Sequence, residues 1–144
     1  MAVERTLAII KPDGMKHKEE ILRRINNSSL KIVKSNIIKL KPGLAAEFYA
    51  HVKIKFGENI YQSLIDYMTS GKVMPMVLEG ENAVQRLRKI TGHTDPERAE
   101  PGTIRRDLGT DKMRIADSEQ RATKNIIHAS GSVEEAEKEI KFFF

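Results

Sequence analysis

His128 is the residue best placed for covalent chemistry. It ends a short aliphatic run, Asn125–Ala129, that reads as a strand. Just beyond it, Ser132 and Glu135 form a capping box that starts a helix through Val133, Ala136 and Ile140. Glu139 lies about three turns along that helix. If the strand returns beside the helix, Glu139 can reach the imidazole. A carboxylate there fixes the tautomer and leaves the other ring nitrogen free to attack. Ser130 can donate to the same carboxylate. His17, His51 and His93 have no such setting, and no spacing of the histidines matches a zinc site. The chain has no Walker-type loop and no GxGxxG, so side-chain cations must hold any phosphate. The candidates are Lys11, Arg88, Arg105 and Arg106. Arginine offers a planar, always charged fork of donors. Lys11 directly follows an apolar run and precedes Pro12-Asp13-Gly14, which aims its ammonium from a strand end.

These residues need a frame, and 144 residues suffice for one domain, 1–144, with a single core. Hydrophobic residues make up 40% and charged residues 31%, an ordinary globular composition. With no cysteine, disulfides and thiolate metal sites are excluded. No apolar run is long enough to cross a membrane. Glu4 and Arg5 interrupt Met1–Arg5 as a leader, so a cytoplasmic location is expected. The net charge of +5 and pI of about 9.5 suit anionic partners.

Thr6–Ile10 reads as a buried strand, Glu19–Asn27 as a helix and Leu30–Leu40 as one long β-branched strand. Pro42 opens a helix whose stripe runs Leu44, Phe48, Val52 and stops at Gly57. Ile60, Tyr61, Leu64, Ile65 and Met68 form the next stripe. Val73–Glu79 reads as a strand that Pro75 pushes to an edge or a bulge. Ala83, Val84, Leu87 and Ile90 make a further helix, ended by Gly92. His93–Lys124 shows little apolar periodicity and reads as a long loop. The order fits an α+β fold of the ferredoxin-like, split βαβ plan. It comprises a four-stranded antiparallel sheet, helices packed on one face, and that long loop before the last strand. A loop of such length in a compact domain is usually functional or disordered.

The segment Asn125-Ile126-Ile127-His128-Ala129-Ser130, continued through Ser132-Val133-Glu134 to Glu139-Ile140, resembles the active-site signature of the nucleoside diphosphate kinases. Three more blocks agree: Glu4–Leu7 with Lys11–Gly14, Glu79-Gly80 with Arg88, and Gly92–Pro96 with Pro101–Arg105. The resemblance implies a ping-pong transfer from a nucleoside triphosphate to a diphosphate through a phosphohistidine at His128, maintaining nucleotide pools. It implies that Lys11 contacts the transferring phosphate, and that Tyr49 lies close to His128 and orders the site. It implies that Arg88, Thr94 and Arg105 hold the β- and γ-phosphates, that Asn125 contacts the ribose and that Glu139 orients His128. Mg²⁺ would bridge the phosphates, bound mainly by nucleotide and water. A homo-oligomer, hexamer or tetramer, is implied as well.

The chain departs from that family in places. Gly131 stands where the signature usually has Asp, and Ile60 where a Phe commonly stacks on the base. The segment between Asp107 and Asn125 is longer than usual, with Arg114–Thr123 suited to a short helix. The stretch Lys53–Asn59 is longer too. A competing reading of the basic charge is a nucleic-acid-binding module on a ferredoxin-like sheet. Such modules stack bases on strand aromatics, and Leu30–Leu40 and Val73–Glu79 contain none.

Overall fold

A computed structural model describes residues 3–144; Met1 and Ala2, the start of the segment considered above as a leader, lie outside the described residues. Strand β1 (Val3–Ile10) lies inside the sheet. It pairs antiparallel with β4 (Lys72–Glu81) on one side and with β5 (Ile127–Ala129) on the other. Strand β2 (Lys31–Ser35) pairs with the far side of β4, giving the order β2-β4-β1-β5. Helix α1 (Lys18–Asn26) links β1 to β2, and α5 (Ala83–Thr91) follows β4. This is the expected antiparallel, ferredoxin-like plan.

The long strand expected over Leu30–Leu40 is broken, however. It divides at Asn36-Ile37 into β2 and a two-residue β3 (Ile38–Lys39), both pairing β4, so the sheet has five strands rather than four. That break explains Pro75, which sits inside β4 and not on an edge. Its carbonyl accepts from the Asn36 N–H at 3.1 Å. Its nitrogen therefore faces the same side, where the β2–β3 interruption removes the need for a donor.

Helices cover both faces of the sheet, not one. Leu7 and Ile9 of β1 pack with α2 (Pro42–Phe48), α3 (Ala50–Phe56), α4 (Glu58–Met68) and α8 (Val133–Phe143). Ala8 and Ile10 pack with α1 and α5 on the other face. The unbroken apolar run Leu7–Ile10 states this already, because a strand with one wet face alternates. Tyr49 divides the helix expected from Pro42 to Gly57 into α2 and α3. The region 93–124 contains α6 (Ile104–Leu108) and α7 (Met113–Ser118), each anchored by few buried apolar groups: Ile104 for one, Ala116 for the other. With single anchors in place of a stripe, no periodicity shows in the sequence.

Candidate active site

Strand β5 carries His128 opposite Ile9 of β1. Two residues earlier the backbone makes an uncommon turn. Ile126 has φ of 77°, and the Ile127 N–H donates to the Asn125 carbonyl at 2.8 Å, closing a γ-turn. A β-branched residue in that region is strained, and strain of this kind persists only where surrounding contacts enforce it. The contacts are present. The Ile126 carbonyl accepts from the Lys11 N–H at 2.8 Å, and the Ile126 side chain is buried. Gly14, in the 3-10 turn Pro12–His17, comes so close that a Cβ there would lie 2.5 Å from the Ile126 carbonyl oxygen.

Arg105, at the start of α6, completes the clamp. Its Nε donates to the Asn125 carbonyl (3.2 Å), one terminal nitrogen to Ile127 (2.6 Å) and the other to Gly92 (2.9 Å). Burial, and then the charge of Arg88, lower its pKa to about 10. Lys11 Nζ donates to Asn125 Oδ1 at 2.7 Å, and Asn125 Nδ2 donates to the Thr94 carbonyl at 3.0 Å. Lys11, Thr94, Arg105 and Asn125 thus form one network. Arg88, Thr94 and Arg105 line a cavity of about 220 Å³ together with Ala129, the neighbour of His128. A basin of about 700 Å³ adjoins it through Arg88 and His93, and adds Lys89 and Arg98. Arg106 turns away, with its guanidinium on the Glu97 carbonyl.

The imidazole is set by α8. His128 Nε2 lies 2.8 Å from Glu139 Oε1, which also accepts from Ser130 Oγ at 2.7 Å. Burial opposes the charge on Glu139, but the bonds from His128 and Ser130 outweigh it and keep the pKa below the usual carboxylate value. With that carboxylate ionised, Nε2 carries the proton and Nδ1 presents its lone pair. The ring packed edge-on against His128 is Phe48, at 5.6 Å between centroids. Tyr49 stands behind it, 4.8 Å from Phe48, and its buried hydroxyl has no hydrogen-bond partner. Burial and the nearby Glu139 charge raise the Tyr49 pKa.

The sequence reading did not single out Phe48 or Tyr67. Phe48 looks like one more member of a helical stripe. The Tyr67 hydroxyl bonds Asp13, and its ring has Lys11 Nζ at 5.9 Å and Lys124 Nζ at 6.0 Å. Nothing in the sequence named Tyr67 as the partner of Asp13. Gly131 also becomes intelligible. Its N–H donates to Glu135 Oε2 at 3.1 Å, and a Cβ on Gly131 would lie 2.6 Å from that oxygen. The Glu135 carboxylate fills the space that an Asp at 131 would enter.

Ile60 is not in this cluster. It lines a separate cleft of about 360 Å³ with Phe56, Asp117 of α7 and Gln120 just beyond that helix. His51 is exposed beside Glu139 on a groove of the α2–α8 face, and His93 Nδ1 accepts from the Asp95 N–H at 2.9 Å. Among the described residues, no three His, Asp or Glu side chains gather to hold a metal ion, and no helix is long and apolar enough to cross a membrane.

Residues 4–144 match a family model described as nucleoside diphosphate kinase. A nucleoside diphosphate kinase of Methanocaldococcus jannaschii is 43% identical over 98% of this chain and 93% of its own length. The crystal structure of an NDP kinase from Pyrobaculum aerophilum superposes with a TM-score of 0.88 at 35% identity, covering 99% of this chain and 96% of that one. A Borrelia burgdorferi nucleoside-diphosphate kinase, solved as a transition-state mimic with vanadate and ADP, superposes at 0.92 with 29% identity, covering 99% of this chain and 87% of that one.

Proposed function

The chain belongs to the nucleoside diphosphate kinase family of phosphotransferases, and from that premise we propose that it transfers the γ-phosphoryl of a nucleoside triphosphate to a diphosphate through His128. The observation that carries this reading is the pairing of His128 Nε2 with Glu139, which leaves Nδ1 as the free nucleophile.

In the first half-reaction the Nδ1 lone pair forms a bond to the γ-phosphorus. The bond to the bridging oxygen breaks, and the diphosphate leaves with that electron pair. In the second, a terminal oxygen of another diphosphate attacks the phosphohistidine phosphorus, and Nδ1 recovers its lone pair. Phosphorylated imidazole gains positive character, which the Glu139 carboxylate stabilises through Nε2–H. Little else is needed beyond placement and charge neutralisation. Lys11, Arg88, Arg105 and Thr94 supply them at the β- and γ-phosphates, and Tyr49 orders the site through the Phe48 ring that packs on His128. Asn125 spends one amide hydrogen on Thr94 and keeps another for the ribose. The donors around the cavity, Arg88 and Arg105, are cationic, so a Mg²⁺ would arrive bound to the nucleotide. Such an ion would add charge neutralisation, with Glu135 the nearby carboxylate able to hold its waters.

The same reading takes 1–144 as one functional domain, assembled into a homo-oligomer in the cytoplasm and balancing nucleotide pools. A nucleic-acid role gains nothing from the fold, because helices cover both sheet faces. Incubation with γ-labelled ATP tests the proposal. Wild type should yield an acid-labile, base-stable phosphoprotein that a second diphosphate discharges, and His128→Gln should yield none. Wild type that neither labels nor exchanges phosphate overturns it.

A further inference from the structure

The lengthened segment between Asp107 and Asn125 is tied down on two flanks. On one, the Met113 N–H donates to Asp95 Oδ1 at 3.2 Å, and Arg114 Nε donates to Glu97 Oε1 at 3.0 Å. On the other, Asn59 Nδ2 of α4 donates to Gln120 Oε1 at 3.2 Å, and the Ala122 N–H donates to Ser63 Oγ at 2.7 Å. Asp111 then closes the inserted segment on itself. Its carboxylate takes a two-pronged ion pair from Arg121 at 2.7 and 3.0 Å, and its Oδ2 also accepts from the Lys124 N–H at 2.8 Å. Burial opposes the charge on Asp111, but the bonds from Arg121 and from the Lys124 and Lys112 N–H groups outweigh it and hold its pKa at about 2. Asp111 is only 12% exposed and Arg121 27%, so solvent screens this pair less than an ordinary surface pair.

The position of the Lys124 bond matters most. Lys124 immediately precedes Asn125, and Asn125 enters the strained turn at Ile126. Downstream, the pairing of β5 with β1 holds that turn. Upstream, the nearest backbone hydrogen bond among the described residues is the one from Lys124 to Asp111. Strain of this kind lasts only where the surroundings over-determine it. The turn in turn aims the Asn125 amide, whose Oδ1 accepts from Lys11 Nζ at 2.7 Å and whose Nδ2 donates to the Thr94 carbonyl at 3.0 Å.

We propose that Asp111 is a positioning residue of this site, fixing Asn125 for the ribose through the Lys124 N–H, with Arg121 as its counter-ion; the inference rests on the phosphotransfer reading and gives the inserted segment a part in it. Asp111 itself touches no substrate. Without its carboxylate the Lys124 N–H turns to water, the turn at Ile126 relaxes, and the free amide hydrogen of Asn125 swings off the ribose. His128 is set independently, by β1 and by Glu139 of α8, and stays in place. Loss of Asp111 therefore weakens nucleotide binding and spares the phosphoryl step at saturation.

A double-mutant cycle separates this role from simple bracing. The ADP dissociation constant is measured in wild type, Asp111→Ala, Asn125→Ala and the double variant. Asp111→Ala should weaken ADP roughly tenfold in the presence of Asn125, and less than about twofold in the Asn125→Ala background. Bracing alone would weaken ADP by the same factor in both backgrounds, and that result overturns the assignment, as does an unchanged affinity in Asp111→Ala. Should Asp111→Ala fail to fold, Arg121→Gln takes its place in the cycle. That variant frees the carboxylate and leaves it in the chain, so a loss of about threefold is expected, again confined to chains that keep Asn125; no loss, or an equal loss in both backgrounds, overturns the role. Coupled ADP binding in a wild type that forms no phosphohistidine would sink the kinase reading and leave the positioning role standing.

Discussion

At the scale of single residues, Lys11 has the charge most altered by its surroundings. Burial first, and then the Arg105 guanidinium, lower its pKa to about 7, while Asp13 works in the opposite sense. At pH 8 most of the free protein therefore lacks this charge. A bound phosphate favours the ammonium and raises its pKa, so binding draws in a proton. Titration calorimetry of ADP in buffers of different ionisation heat should report uptake of about one proton at pH 8 and almost none at pH 6. Lys11→Met should abolish the uptake, and wild type with no uptake at pH 8 would show that Lys11 is already charged. The same shift bears on stability. An unfolded lysine keeps its proton to about pH 10.4, so between about 7 and that value the unfolded chain binds more protons than the folded one. The Lys11 contribution to stability thus rises with pH across that window, and its cost is complete below pH 7.

At the scale of elements, the close approach of the 3-10 turn to the γ-turn before β5 decides the geometry of the site. Gly14→Ala puts a methyl group against a backbone oxygen, and neither partner is a flexible side-chain end. Destabilisation by about 2 kcal/mol is expected, read from the urea midpoint with an unchanged slope. A loss below a few tenths of that would mean the two turns separate freely. This contact also marks what the sequence could reveal. The stripes of α1, α4 and α5 and the capping box of α8 were legible, because apolar spacing and caps are local. The covered second face of the sheet was legible too, in the run Leu7–Ile10, but needed the right inference from it. The break at Asn36, the interruption at Tyr49 and the small helix α6 were not, and α7 showed only as a composition suited to a short helix over Arg114–Thr123, with its bounds misplaced. They answer to partners far along the chain: Pro75 for the first, Ser63 and Asn59 for the inserted segment. His128, Glu139 and Ser130 were foreseeable as a cluster because one strand–helix pair brings them together. Phe48 and Tyr67 come from other elements and carry no signal beyond their place in an apolar stripe.

At the scale of the whole molecule, the excess of +5 is a field that substrates feel before they touch anything. The cavity beside Ala129 and its adjoining basin gather Lys89, Arg88, Arg98 and Arg105 on one side of the fold. Turnover at low substrate should therefore fall as salt rises, by roughly threefold between 20 and 200 mM, while the maximal rate stays nearly constant. A flat response would place the attraction at contact range only. The register of β5 carries another consequence, one of time. His128 pairs with Ile9, near the opposite end of the chain, and β1 keeps one flank unpaired until residues 127–129 arrive. On the ribosome, Lys11, Arg88, Thr94, Arg105 and Asn125 are all made before the strand that bears the histidine. The growing chain can pair β1 with β4, yet it lacks the proposed nucleophile until β5 has been made.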